Sequence, residues 1–233
     1  MCYVIITCWS LLWTLLSIAT FMLVVTSVMS PNWLIGAPQK IGLESIYDNI
    51  TGIDPDQMFK PTVGMFNRCT RLHRFELIDT RDTCATFVTG YGMPDSEFPN
   101  TWKAALFFFC IGAIMLLFAT VTSVISICNR SLCGKSIFTV SGLIQSIAGL
   151  LCILGLILYP AGWGSEVVTK YCGAQADPFY MDRCSLGWAF YLCITGTVMS
   201  FFCAFLSVKA DESTSSYKVE EEVLEGKNLI CVV

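Results

Sequence analysis

Four stretches of the chain, residues 3–29, 104–128, 137–159 and 186–208, contain no Asp, Glu, Lys or Arg. Each is long enough to cross a bilayer core of about 30 Å, which takes about 20 apolar helical residues. Lipid cannot satisfy exposed backbone groups, so segments of this kind cross it as helices. The pattern predicts four transmembrane helices over these ranges and an all-α membrane fold. Charged residues fall between and beyond them, giving outer loops at 30–103 and 160–185, an inner loop at 129–136 and an acidic tail at 209–233. A single tetraspan membrane domain over 1–208 leaves no space for a separate soluble enzyme domain. The first span lacks a basic start, exceeds the about 7–15 apolar residues of a signal peptide, and ends in a poor cleavage site, Ser27-Val28-Met29. It is expected to be a retained helix.

An even number of spans puts both termini on one side. The inner loop carries Arg130 and Lys135 and no acidic residue. Short basic loops stay cytoplasmic, so both termini are expected there. The first outer loop is too long for its charge to vote, since the rule weakens above about 60 residues. Two other features place it outside. Asn49-Ile50-Thr51 is a glycosylation sequon, which functions in the lumen. Cys69 and Cys84 lie in that loop, and Cys172 and Cys184 in the second, an even pair in each, as an oxidising compartment favours. Four cysteines allow three connectivities; one bridge within each loop is the expectation. The plasma membrane is the expected location, with endosomal or other secretory membranes as the alternative.

Trp33, Trp102, Trp163 and Trp188 each mark the outer end of one span. Indoles favour the membrane–water boundary, so an aromatic belt is expected there. In the first outer loop, 62–69 is β-prone and 72–78 alternates Phe75 and Leu77 with charges, which predicts a small outer sheet. Residues 46–61, rich in turn formers, read as a surface excursion. Pro160, Gly162 and Gly164 are expected to end the third span and launch an extended segment.

The third span also carries small residues. Gly142, Ser146 and Gly149 share one face, and Gly155 lies on a neighbouring strip with Ala148 and Cys152. Small residues let helices approach closely in lipid, so these are candidate helix-packing positions. Gln145 reads as an interhelical hydrogen-bonding group or as a pore or ligand contact. In the tail, 213–217 is a candidate phosphorylation segment or a solvated linker, and 218–227 a candidate amphipathic helix. The apolar end Cys231-Val232-Val233 suits PDZ-type capture by strand addition, or packing on its own bundle. Cys128 and Cys133 border the inner face and are candidate palmitoylation sites.

Composition narrows the chemistry. The chain is 55% hydrophobic and 14% charged, against about 25% charged in soluble domains. The net charge of −4 and the absence of a basic stripe give no case for nucleic acid. There is no C-x-x-C, only one histidine (His73), and no phosphate- or dinucleotide-binding glycine motif. No catalytic constellation, metal site, cofactor site or small-molecule substrate site is expected. Charge-free spans argue against a pump, proton relay or voltage sensor.

Trp33, Gly64-Met65-Phe66, Cys69 and Cys84 resemble the W…GLW…C…C signature of the claudin and peripheral-myelin-protein superfamily. Met65 and Phe66 depart from its leucine and tryptophan, and the cysteines are more widely spaced. Other segments are more specific: Met1-Cys2, Trp13-Thr14-Leu15-Leu16-Ser17, Trp33-Leu34-Ile35-Gly36, Lys135-Ser136-Ile137-Phe138, 153–164, the run 184–191 from Cys184-Ser185-Leu186-Gly187-Trp188, and 225–231. These resemble the lipoma HMGIC fusion partner-like tetraspan family across nearly the whole chain, least well at 43–60 and 174–183. The resemblance implies a claudin-like fold, a left-handed four-helix bundle with a small extracellular antiparallel β-sheet. It would make Trp33, Gly64, Met65, Phe66, Cys69 and Cys84 the anchor of sheet to bundle. Members of that family serve as auxiliary subunits of membrane complexes.

Two readings follow. The first is a non-enzymatic auxiliary or scaffold subunit of a channel, receptor or adhesion complex, whose partners are membrane lipid and another integral membrane protein. It would bind through small-residue helix faces and the outer sheet. The second is a claudin-type, self-assembling junction or barrier protein, a homo-oligomer.

Overall fold

The computed structural model describes residues 4–37, 60–65, 67–71, 82–86, 98–127, 131–132, 135–217, 219, 221 and 229–232. In chain order its helices are α1 (Cys8–Met29), α2 (Asn100–Ile125), α3 (Ile137–Ala161), α4 (Glu166–Cys172) and α5 (Trp188–Thr214). All but α4 are long and apolar enough to cross a membrane. The strands are β1 (Val4–Thr7), β2 (Leu34–Ile35), β3 (Thr62–Val63), β4 (Asn67–Arg71), β5 (Asp82–Thr86), β6 (Ser131–Leu132), β7 (Lys135–Ser136), β8 (Ser185–Leu186) and β9 (Leu229–Val232). The chain divides into two compact units, one of 1–26, 107–156 and 192–233, the other of 27–106 and 157–191.

The second unit holds a five-stranded antiparallel sheet in the order β5-β4-β3-β2-β8. The β-prone run at 62–69 is two strands, broken by a turn in which Gly64 N–H donates to Asn67 O at 2.8 Å. A Cβ on Gly64 would lie 2.7 Å from Pro31 Cα, so a close backbone approach excludes every larger residue there. The run at 72–78 lies outside the described residues.

The expected extended segment after Gly164 is not found. Pro160 sits in the last turn of α3, and the chain re-enters helix at α4. Val167, Val168, Tyr171 and Cys172 give α4 a buried face, Glu166 and Lys170 match the helix dipole, and Gly173 at φ 128° ends it. The acidic-first, basic-last order was the available signal.

The first unit contains most of α1, α2, α3 and α5. The first residues are not helical as the charge-free stretch suggests. Val4, Ile5 and Ile6 are β-branched, and β1 pairs in parallel with β9. Helix α1 then starts with a reciprocal cap. Ser10 N–H donates to Thr7 Oγ1 at 3.2 Å, and Thr7 N–H to Ser10 Oγ at 3.0 Å. In the same unit, α5 runs past residue 208 to Thr214. Its polar last turns find partners, because Asp211 accepts from Ser136 at 2.8 Å and from Thr139 at 3.2 Å.

Candidate functional site

No cluster of three metal-ligating side chains occurs among the described residues. What the structure organises instead is one polar–aromatic assembly in each unit. In the sheet-bearing unit the hub is Tyr159, in the last turns of α3. Its ring stacks on Trp102 at 5.1 Å, meets Trp33 edge-on at 4.8 Å and lies 6.3 Å from Phe190. Such ring pairs contribute about 0.5–1.5 kcal/mol each beyond the area they bury. The polar edges are satisfied inside the cluster. Trp102 Nε1–H donates to Tyr159 O at 3.0 Å, Trp33 Nε1–H to Ser27 O at 2.6 Å, and Tyr159 O–H reaches Val63 O on β3 at 3.4 Å. That last contact joins the end of a span to the sheet.

This corrects the expected aromatic belt. Trp33 and Trp102 are fully buried and Trp163 is 4% exposed; of the four, Trp188 alone is exposed. Each indole N–H of Trp33 and Trp102 has a backbone carbonyl at the ragged end of a helix, which removes the need for water.

Two disulfides frame the same unit. Cys69 and Cys84 are register partners across β4 and β5 and are bonded, with Cα atoms 4.0 Å apart. Cys172, ending α4, is bonded to Cys184 just before β8. Met65 is buried beside Gly64.

In the helical unit a closed polar ring ties α1 to α3. Trp13 Nε1–H donates to Gln145 Oε1 at 3.2 Å, Gln145 Nε2–H to Ser17 Oγ at 2.8 Å, and Ser17 O–H to Trp13 O at 2.8 Å. Gln145 is 1% exposed, so its geometry is that of the interhelical bond rather than of a pore contact. Trp13 also packs on Phe138 at 5.2 Å, in a core with Cys203, Leu206 and Ala210. The small residues of α3 are enclosed by neighbouring helices. A Cβ on Gly142 would sit 3.1 Å from Ser207 Cβ, one on Gly149 2.8 Å from the Phe201 ring, and one on Gly155 2.6 Å from the Phe109 ring. Ser146 turns its hydroxyl back to Gly142 O at 3.1 Å. Gly142 and Gly149 thus lie against α5, and Gly155 against α2, of the same chain.

The outward faces are bulky. On α3 they are aliphatic, with Leu143, Ile147, Leu150, Leu154 and Ile157 exposed. On α5, within the helical unit, Val198, Phe202, Phe205 and Val208 are exposed at helical spacing, an aromatic-rich stripe.

The chain matches the profile of the lipoma HMGIC fusion partner-like protein family over residues 9–209. It belongs to that family. It is 42% identical over 240 residues to the LHFPL tetraspan subfamily member 2 protein of Homo sapiens, taking in 100% of both chains. It is 40% identical over 233 residues to the member 2a protein of Danio rerio, again 100% of both. The human member 4 protein is 27% identical over 150 residues, 64% of this chain and 58% of that one. With four helices of spanning length, this family member is a multi-pass membrane protein of tetraspan type. Sequence reasoning missed Tyr159 and Phe190 as the centre of the family member's aromatic cluster. The signal available was Tyr159-Pro160, a polar-tipped aromatic at a helix-stopping position. Asn49, Phe66, Cys128, Cys133 and Val233 lie outside the described residues.

Proposed function

We propose that this protein is a non-enzymatic auxiliary or scaffold subunit of a membrane channel, receptor or adhesion complex, with the aromatic-rich stripe of α5 as its contact face within the membrane. The observation that supports this reading is the division of helix surface. Small residues and buried hydroxyls are consumed within the chain, while α5 turns Val198, Phe202 and Phe205 outward. Lipid asks only for apolar surface; aromatic side chains carry large contact area at low entropic cost and dominate protein contacts. The sheet and its two disulfides supply a rigid second contact outside the membrane, with both termini cytoplasmic and the complex at the plasma membrane. A mild-detergent pull-down from native tissue, followed by quantitative mass spectrometry, tests the reading. A stoichiometric channel, receptor or adhesion protein is expected. Recovery of only self-associated copies would replace it with the second reading, a self-assembling junction protein, which junction-like strands in transfected cells would then have to bear out.

A further inference from the structure

The two ends of the described chain are paired with each other. Residues Val4, Ile5, Ile6 and Thr7 of β1 are the register partners of Leu229, Ile230, Cys231 and Val232 of β9, in parallel. Beside the pair, Ser213 near the end of α5 donates to Ala210 O at 2.9 Å, and Thr7 Oγ1, 2.8 Å away, donates to Ser213 Oγ. Thr7 thus caps α1, ties α5 and carries the last ladder position of β1. We propose that the edge of β1 is a strand-accepting site for an extended apolar peptide, and that this chain's own residues 229–232 occupy it in cis as a releasable latch.

The first argument is that β1 itself is fixed. It leads without a break into the capped start of α1, and Thr7 is buried. The second is that its occupant is not fixed in the same way. In sequence, residues 215–228, four of them glutamates, lie between the end of α5 and β9, so β9 does not run directly from a spanning helix as β1 runs into one. The third is energetic. A two-stranded sheet is marginal in water without further packing, and parallel pairing is slightly weaker per residue than antiparallel. An occupant of this kind holds by local concentration, about millimolar for a short tether, rather than by intrinsic affinity. A partner segment rich in β-branched or aliphatic residues therefore binds β1 by the same ladder once the tail is displaced. The inference goes beyond the auxiliary-subunit reading and does not depend on it.

The register supplies its own test. Neighbouring strands lie about 4.8 Å apart, within the about 4.4–6.8 Å of Cα separation that a disulfide spans. Ile6→Cys faces the native Cys231, so mild oxidation of membranes holding the full chain should give one intramolecular crosslink, absent when Cys231→Ser is added. Val4→Cys with Leu229→Cys is the second pair, and retention of both loop disulfides shows that each variant folds. A labelled peptide of residues 226–233, with serine for the cysteine, is then titrated onto the solubilised chain. It should bind at least about tenfold more tightly when residues 226–233 are deleted than in the full chain, and not at all to the oxidised Ile6→Cys protein. Failure of both cysteine pairs to crosslink in folded protein would overturn the latch, as would crosslinked dimers in place of monomers. Peptide affinity unchanged by the deletion would overturn the accepting edge.

Discussion

At the scale of single residues, Tyr159 does two separable things. Tyr159→Phe removes only the reach to Val63 O, so a loss of about 0.5–1.5 kcal/mol is expected. Tyr159→Ala empties the space between Trp33 and Trp102 and should cost about 3–5 kcal/mol. Thermal unfolding in detergent, alongside the fraction of protein with both disulfides formed, separates the two; equal losses would mean that the ring packing is unimportant. Gln145→Leu orphans Trp13 Nε1 while keeping volume. Hydrogen bonds between helices in membranes are worth about 0.6–2 kcal/mol, and a loss in that range is expected by the same assay. The polar character of Gln145 in a charge-free span was legible, because few residues there can bond at all. The burial of Trp33 and Trp102 was not. A tryptophan at a span end has the same sequence context whether its N–H meets water or a helix-end carbonyl, and only the arrival of Tyr159 decides which.

At the scale of elements, the four spans were readable because lipid imposes one condition on about 20 consecutive residues, the exclusion of charge. Elements set by distant pairing were not readable. Strand β8 is two residues long and forms against β2, far away in the chain; β1 was absorbed into the first span because its residues are as apolar as those that follow. Helix α4 was hidden by the proline and glycines before it. The small residues of α3 were seen, but not what they face. Since Phe201 and Ser200 lie against Gly149, Gly149→Leu should destabilise the folded chain by about 1–3 kcal/mol through overpacking. Size-exclusion recovery in detergent should fall accordingly. A variant that folds normally and loses only a partner would restore this face as an external contact.

At the scale of the whole molecule, pairing within each loop follows from register on one sheet and from a short helix on the other, and neither bridge crosses between loops. Non-reducing peptide mapping should return Cys69–Cys84 and Cys172–Cys184. Removing the first bridge opens a loop of 15 residues, worth about 3 kcal/mol in the chain-entropy model, and reduced delivery of Cys69→Ser/Cys84→Ser to the cell surface is expected. The helical faces then assign what remains. Placing a photo-crosslinking amino acid at Val198 on α5, and separately at Leu150 on α3, in cells that express the protein naturally tests the proposed contact face most directly. Both positions are exposed at similar extent, so lipid alone would label both alike. A discrete protein adduct at Val198 together with lipid-only adducts at Leu150 is the expected result. Lipid-only adducts at both positions, in protein whose two disulfides are intact, would contradict a partner on α5.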